Sequence, residues 1–150
     1  MSQKINAISY SWNEHVCYIG KIYYKDLKNL VDVDSDLSMN RDIDDNRVEK
    51  IIDYLEKQNI ENAFFPPAVL SSGVKMSYDQ AKSQLEIKNG KFTIIDGQHR
   101  IKAITKFEKK TKGDEKKKLN AMELPVLIVE GLESYQHRNL FSLINESAKK

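Results

Sequence analysis

The chain has 150 residues, which is most simply one domain, and it is long enough to bury a real hydrophobic core. Its composition, 40% hydrophobic and 31% charged, is typical of a soluble globular protein and excludes a disordered chain. The net charge of +2 is too small to indicate nucleic-acid binding by itself.

The single cysteine, Cys17, excludes an intramolecular disulfide and a cysteine-based zinc site, and is typical of a reducing cytoplasm. Because Cys17 lies in an apolar run, we expect a buried thiol rather than a nucleophile. No stretch has the length of a membrane span, and the first residues lack the apolar core of a signal peptide. We therefore expect a cytoplasmic protein without a membrane partner.

Residues 1–24 predict one or two strands, because aromatic and β-branched side chains recur through them. Gly20 indicates a bulge or a bend, and residues 25–31 predict a short helix. Residues 31–45 are rich in aspartate, but they lack the glycine and the terminal glutamate of an EF-hand calcium loop. We expect a solvated loop there, with Arg41 as the cation inside it.

Residues 45–58 predict an amphipathic helix with Asp44 or Asp45 as its N-cap. Arg47 and Lys50 fall outside the apolar stripe and are expected at the surface. Two phenylalanines and two prolines then lead into a strand at residues 68–71, and we expect at least one of the phenylalanines in the core.

Residues 71–81 form a polar stretch that we expect to be mobile. After it, residues 84–87 and 92–95 are two apolar segments on either side of Asn89 and Gly90, a dipeptide typical of hairpin turns. The pattern predicts a β-hairpin whose second strand leads directly into the next residues.

A compact polar motif follows the second segment of that hairpin. Its residues are Asp96, Gly97, Gln98, His99 and Arg100. Apolar residues then recur at helical spacing to about Lys110, so the motif joins a strand to a helix start, with the aspartate placed to cap the helix and the glycine allowing a tight turn. The first N–H groups of a helix favour anions, and an amide, an imidazole and a guanidinium beside them indicate a phosphate or nucleotide site. The alternative is an ordinary turn with solvated side chains.

Six lysines lie between positions 109 and 118. They could contact DNA phosphates, but no arginine or aromatic residue accompanies them, so a solvated, flexible loop is the preferred interpretation. Residues 124–129 predict a buried strand. Residues 134–147 predict a helix with His137 and Arg138 exposed and with an apolar stripe formed by Tyr135, Leu140, Phe141 and Ile144.

The motif at residues 96–100 resembles that of the DGQHR-domain proteins, and the chain is similar to their DndB group, which is associated with DNA phosphorothioate modification and its transcriptional control. Three flanking blocks agree in order with the pattern: residues 46–55, 64–69 and 140–145. The strand, turn and helix also resemble the phosphate-binding box of ParB-like and sulfiredoxin-like folds and the DGQQR motif of some restriction NTPases. Sulfiredoxin-type chemistry is excluded, because it needs a cysteine in this motif.

The resemblance implies an α/β (α+β) fold, a small mixed β-sheet with surrounding helices, in a single DGQHR (ParB-like) domain at residues 1–150. Members of the family usually continue further, so we expect either a C-terminally shortened domain or a minimal member.

The resemblance also implies a nucleoside triphosphate, most simply ATP, bound with Mg²⁺. Gly97 and the next amides would hold the phosphates and Arg100 would pair with them. Gln98 would position the attacking water, His99 would orient or deprotonate water or donate to the phosphate, and Asp96 would cap the helix or hold the metal.

Two further residues are assigned only by resemblance to ParB-like NTPases. Arg41 would approach the nucleotide, and Asn145 would approach the phosphate or the magnesium. Helix C-capping is the competing explanation for Asn145.

Three functions remain open at this point. The first is a nucleotide-binding, ATP-hydrolysing module of a DNA-modification or phage-defence system, with nucleotide, DNA and other proteins of that system as partners. The second is a DNA-binding regulator without turnover, which predicts a basic face joining residues 109–118 to Arg47 or Arg138. The third is a structural scaffold.

Overall fold

The computed structural model describes residues 3–33, 44–73, 76–88 and 90–149. The strands are β1 (Gln3–Trp12), β2 (His15–Tyr23), β3 (Ala68–Ser72), β4 (Ser77–Asp79), β5 (Gln84–Ile87), β6 (Thr93–Asp96) and β7 (Glu123–Glu130). The α-helices are α1 (Leu27–Leu30), α2 (Asp45–Lys57), α3 (Gln98–Lys110), α4 (Gly113–Ala121) and α5 (Ser134–Lys149), with short 3₁₀ turns at Tyr24–Asp26 and Ile60–Asn62.

The strands form one seven-stranded sheet in the order β4-β5-β1-β2-β7-β3-β6. It is mixed because β3 runs parallel to β7, whereas its other neighbour, β6, is antiparallel to it. The predicted α/β class with a small mixed sheet is therefore confirmed.

Helices cover the two faces of the sheet unequally. The main core lies between one face and α1 to α4, where Val48, Ile52 and Leu55 of α2 meet the apolar stripe of α3. Alternate strand residues point to the other face. There Cys17 and Val129 pack with Leu132 and Leu140, the latter on α5, so the prediction of a buried thiol is confirmed.

The predicted hairpin around Asn89 and Gly90 is wrong. β5 pairs with β1 and β4, whereas β6 pairs with β3 near the opposite edge of the sheet. Between them the chain turns toward the end of α1, where the N–H of Phe92 donates to the Leu30 carbonyl at 2.8 Å. Asn89 itself lies outside the described residues. Both strands bury apolar side chains, but each pairs with strands other than its neighbour in sequence.

A hairpin that the sequence did not single out joins β1 to β2. Asn13 and Glu14 both have positive φ, 45° and 71°, as a two-residue type I′ turn requires. Gly20 is no bulge, because it pairs in register with Ala7, and a Cβ there would lie 2.5 Å from the Asn6 carbonyl oxygen. The glycine is needed for close approach of the two strands.

Two predicted loops contain regular structure. The polar stretch after β3 includes β4, which pairs with β5. The lysine-rich stretch forms α4, because Leu119 is fully buried and anchors the helix. Lysines flanking or within this helix form ion pairs: Lys110 with Glu56, Lys116 with Glu108 and Lys118 with Glu61.

The remaining local predictions are mostly confirmed. The Asp44 Oδ1 caps α2 by accepting the N–H of Asn46 at 3.0 Å. Phe65 is buried while Phe64 is 77% exposed, so one phenylalanine is in the core as expected. Within the described ranges no helix has the length and apolar character needed to cross a membrane.

Candidate functional site

The site is built where β6 ends and α3 begins. Gly97 occupies the N-cap of α3 with φ 101° and ψ 18°, and no side chain caps the helix. The prediction that Asp96 caps α3 is wrong, because Asp96 is the last residue of β6 and its carboxylate lies against Arg100. A Cβ at Gly97 would lie 3.0 Å from both the Ala68 Cβ and the Arg100 Nη2, so the turn leaves no room for a side chain.

Arg100 is held in place by the protein. Its side chain is only 17% exposed, its Nη1 donates to the Pro66 carbonyl at 2.7 Å and its Nη2 donates to Asp96 Oδ2 at 3.4 Å. Burial lowers the pKa of Arg100, and the Asp96 charge opposes that shift. An arginine stays protonated after such a shift. The guanidinium therefore remains a cation, with one nitrogen bound to the Pro66 carbonyl and another to the Asp96 carboxylate.

His99 links the starts of two helices. It is 7% exposed, and its Nε2 accepts the backbone N–H of Asp44, the N-cap of α2, at 3.0 Å. Because a backbone N–H can only donate, this bond requires a lone pair on Nε2 and, in the neutral ring, the proton on Nδ1. If His99 were to act as the predicted base through Nε2, this bond would have to break.

The two helix starts enclose a pocket of about 260 Å³. Its lining residues are Arg47, Ile51, Pro66, Ile95, Asp96, Gly97, Gln98, His99, Arg100 and Phe141. The whole predicted motif thus lies on one pocket, with Gln98 half-buried in its wall.

Arg47 belongs to this pocket, although the sequence predicts it only at the surface or on a DNA-binding face. It is exposed, as predicted, but it lies in the first turn of α2 and lines the pocket opposite the motif. It has no ion pair or hydrogen bond with any described residue. The available signal is its place in the flanking block at residues 46–55, although the helical pattern alone predicts only a surface position for it.

The other predicted site residues are not gathered here. Asn145 is half-buried on α5 and is not among the residues lining the pocket. Since α5 continues to Lys149, C-capping does not explain Asn145. Arg41 lies outside the described residues.

Two side chains of α5 differ from their predicted environments. Tyr135 is exposed rather than part of the apolar stripe. His137 is half-buried, and its Nε2 lies 2.9 Å from the Oγ of Ser71 on β3. Burial lowers the pKa of His137, while a hydrogen bond to the Leu132 backbone acts in the opposite direction. The contact between His137 and Ser71 attaches α5, which also carries Phe141, to the sheet.

The donor set for a metal is limited. No group of three or more His, Cys, Asp or Glu side chains that could hold an ion occurs in the described part of the chain. Asp96 is the carboxylate lining the pocket, and it is 33% exposed. One carboxylate fits Mg²⁺ only when phosphate oxygens of a ligand complete the coordination.

Fold and pocket together define an α/β protein with a small, arginine-lined pocket at a strand-to-helix turn. A family model described as DndB, DNA-sulfur modification-associated, matches residues 5–150. The match covers nearly the whole chain, so this chain belongs to the DndB family. Comparison with curated proteins and with solved structures gave no match.

Proposed function

We propose that this chain is a nucleotide-binding module, with the capacity for ATP hydrolysis, acting in a DNA phosphorothioation system. The observation that carries the proposal is the pocket that collects Gly97, Gln98 and Arg100 at the start of α3 and Arg47 from the first turn of α2. The family match supports the association with DNA-sulfur modification and with other proteins of that system. The DGQHR-domain and ParB-like relationships stay predictions.

Phosphate suits this pocket for three reasons. The first N–H groups of a helix have no intrahelical partner, and the start of α3 has no capping side chain. The helix dipole favours negative charge at that point. Two arginines line the walls against one carboxylate, so an anion meets a net positive surface.

Each motif residue has a role under this proposal. Gly97 allows the phosphate to approach the backbone, and Arg100 holds the turn while presenting its charge. Gln98 positions the water that attacks the terminal phosphorus, which releases the nucleoside diphosphate and phosphate. Asp96 would supply a ligand to Mg²⁺ carried by the nucleotide. His99 fixes α2 against α3, and Arg41 and Asn145 stay candidates for contact with the nucleotide.

A thermal-shift titration tests this function. ATP, GTP, CTP and UTP are each added with and without Mg²⁺. A nucleotide at a hundred times its Kd stabilises the native state by about 2.7 kcal/mol, which raises Tm by about 5–10 °C for a protein of this size. The Gln98→Ala variant should keep the nucleotide-induced rise in Tm but should no longer release inorganic phosphate from ATP in a hydrolysis assay. If no nucleotide changes the Tm of folded wild-type protein, the proposal is wrong.

A second candidate, a DNA-binding regulator, is favoured by one groove beside α3. Five lysines and one aspartate line this groove of about 620 Å³: Lys28, Lys91, Lys102, Lys106, Lys109 and Asp32. Two of its lysines are already paired, Lys28 with Glu108 and Lys106 with Glu49, both at 2.8 Å, which weakens the case. A steep fall of DNA affinity with salt, reduced by Lys109→Gln, would support it.

A further inference from the structure

We infer that the pocket recognises the polyphosphate of its ligand rather than the nucleoside, and that Arg47 makes the direct phosphate contact while Arg100 acts as a positioning residue. The inference rests on the proposed function and specifies which part of the nucleotide the site binds. The consequence is a site that does not discriminate between nucleobases.

The first argument is the difference between the two arginines. Arg100 donates to Pro66 and Asp96, so part of its donor set is used inside the protein. Arg47 carries no such bonds with the described residues and is exposed on the facing wall. A guanidinium offers five donors in a planar fork that matches phosphate, and in Arg47 this fork is available.

The second argument is that the backbone carrying Arg47 is fixed. Asp44, three residues earlier, makes two hydrogen bonds. Its Oδ1 accepts the Asn46 N–H, and its backbone N–H donates to His99 Nε2. The start of α2 is thereby attached to the motif itself. The guanidinium therefore reaches the pocket from a base whose position relative to Gly97 is set, which lowers the entropy lost on binding.

The third argument is size. Pockets that enclose drug-sized ligands have volumes of roughly 300–1,000 Å³, and the described residues here line a half-open pocket of about 260 Å³. That space accommodates a phosphate chain with its metal ion, and leaves a sugar and a base outside it. Base-specific hydrogen bonds would have to come from outside these walls.

Isothermal titration of the full chain with Mg²⁺ tests the inference, with ATP, CTP and inorganic tripolyphosphate as probes. We expect the three Kd values to agree within about threefold, and tripolyphosphate to displace ATP. Arg47→Gln should weaken all three by the same factor, about 10- to 100-fold, which is the loss of a charged hydrogen bond. Arg138→Gln is the matched control, because Arg138 is exposed on α5 and does not line the pocket.

The outcomes separate the inference from the function on which it rests. Selective binding of one nucleotide without competition by tripolyphosphate overturns the inference and leaves nucleotide binding intact. If Arg47→Gln binds the probes with unchanged affinity and has an unchanged Tm without ligand, Arg47 does not contact the phosphate, and nucleotide binding itself is still supported. If wild-type protein binds none of the probes, the proposed function fails as well.

Discussion

Replacing Gly97 with alanine measures how tightly the motif turn is packed. Two effects add. A left-handed backbone conformation costs a non-glycine residue about 1–2 kcal/mol. The new Cβ would also lie 3.0 Å from the Cβ of Ala68, which is fully buried in β3 and paired with Val126, so Ala68 cannot move away.

The strain must therefore fall on the turn and on Arg100, whose Nη2 would lie 3.0 Å from the new atom. Loss of a hydrogen bond from this charged group adds about 1.5–3 kcal/mol. Alanine also restricts the unfolded chain, which offsets part of these two losses. We therefore expect Gly97→Ala to lower the free energy of unfolding by about 2–4 kcal/mol. Urea denaturation followed by circular dichroism measures it, with an unchanged slope as the check on two-state unfolding.

Gly131→Ala is the matched control. Gly131 also has positive φ, 77°, but a Cβ there would meet nothing within 4 Å. Gly131→Ala should lower the free energy of unfolding only by the cost of the left-handed backbone conformation, about 1 kcal/mol. If the two variants lose the same free energy within about 0.5 kcal/mol, the reasoning about the packed turn is refuted.

Three other predictions test features away from the turn. Leu119→Ala should lower the free energy of unfolding by about 2–4 kcal/mol, because Leu119 is fully buried and anchors α4; a loss below about 0.5 kcal/mol would mean that α4 is not docked. Burial alone would raise the pKa of Glu108, but hydrogen bonds from Lys28 and Lys116 outweigh it and the pKa is lowered, so this stabilisation is present above the unfolded-state pKa and is lost as pH falls through the folded-state value. Chemical denaturation between pH 7 and pH 3 should show a smaller acid-induced loss in Glu108→Gln than in wild type. Burial raises the pKa of the Cys17 thiol, opposed by a hydrogen bond to Tyr10, so a thiol reagent at pH 7 should react only at the rate of unfolding; fast labelling of native protein would contradict this.

Much of the local structure was predictable from the sequence because it depends on neighbours along the chain. The cap at Asp44, the stripe of α2 and the buried strand β7 all follow from spacing and side-chain chemistry, and the structure has them at the expected places. The strand–turn–helix at Gly97 was predicted for the same reason. Only the residue at the N-cap differs: the helix begins one residue later than predicted, so Gly97 occupies the N-cap and Asp96 is the last residue of β6.

Contacts between distant segments were decided by the tertiary structure. Asn89 and Gly90 indicate a hairpin, yet β5 and β6 join different parts of the sheet, so the preference of two turn residues did not decide the pairing. The lysine-rich stretch shows the same limit. Its helix exists because Leu119 finds a core, and acidic partners on other elements neutralise its charges.

The candidate site divides along the same line. The sequence by itself determined the motif residues and the prediction that they bind phosphate, because that prediction depends on five consecutive side chains and one helix start. The opposite wall was decided only by the tertiary structure. Arg47 stands fifty residues from Gly97 along the chain, and nothing in a helix pattern shows which way an exposed arginine faces. The apolar packing of α2 on α3, together with the bond between Asp44 and His99, places it at the pocket.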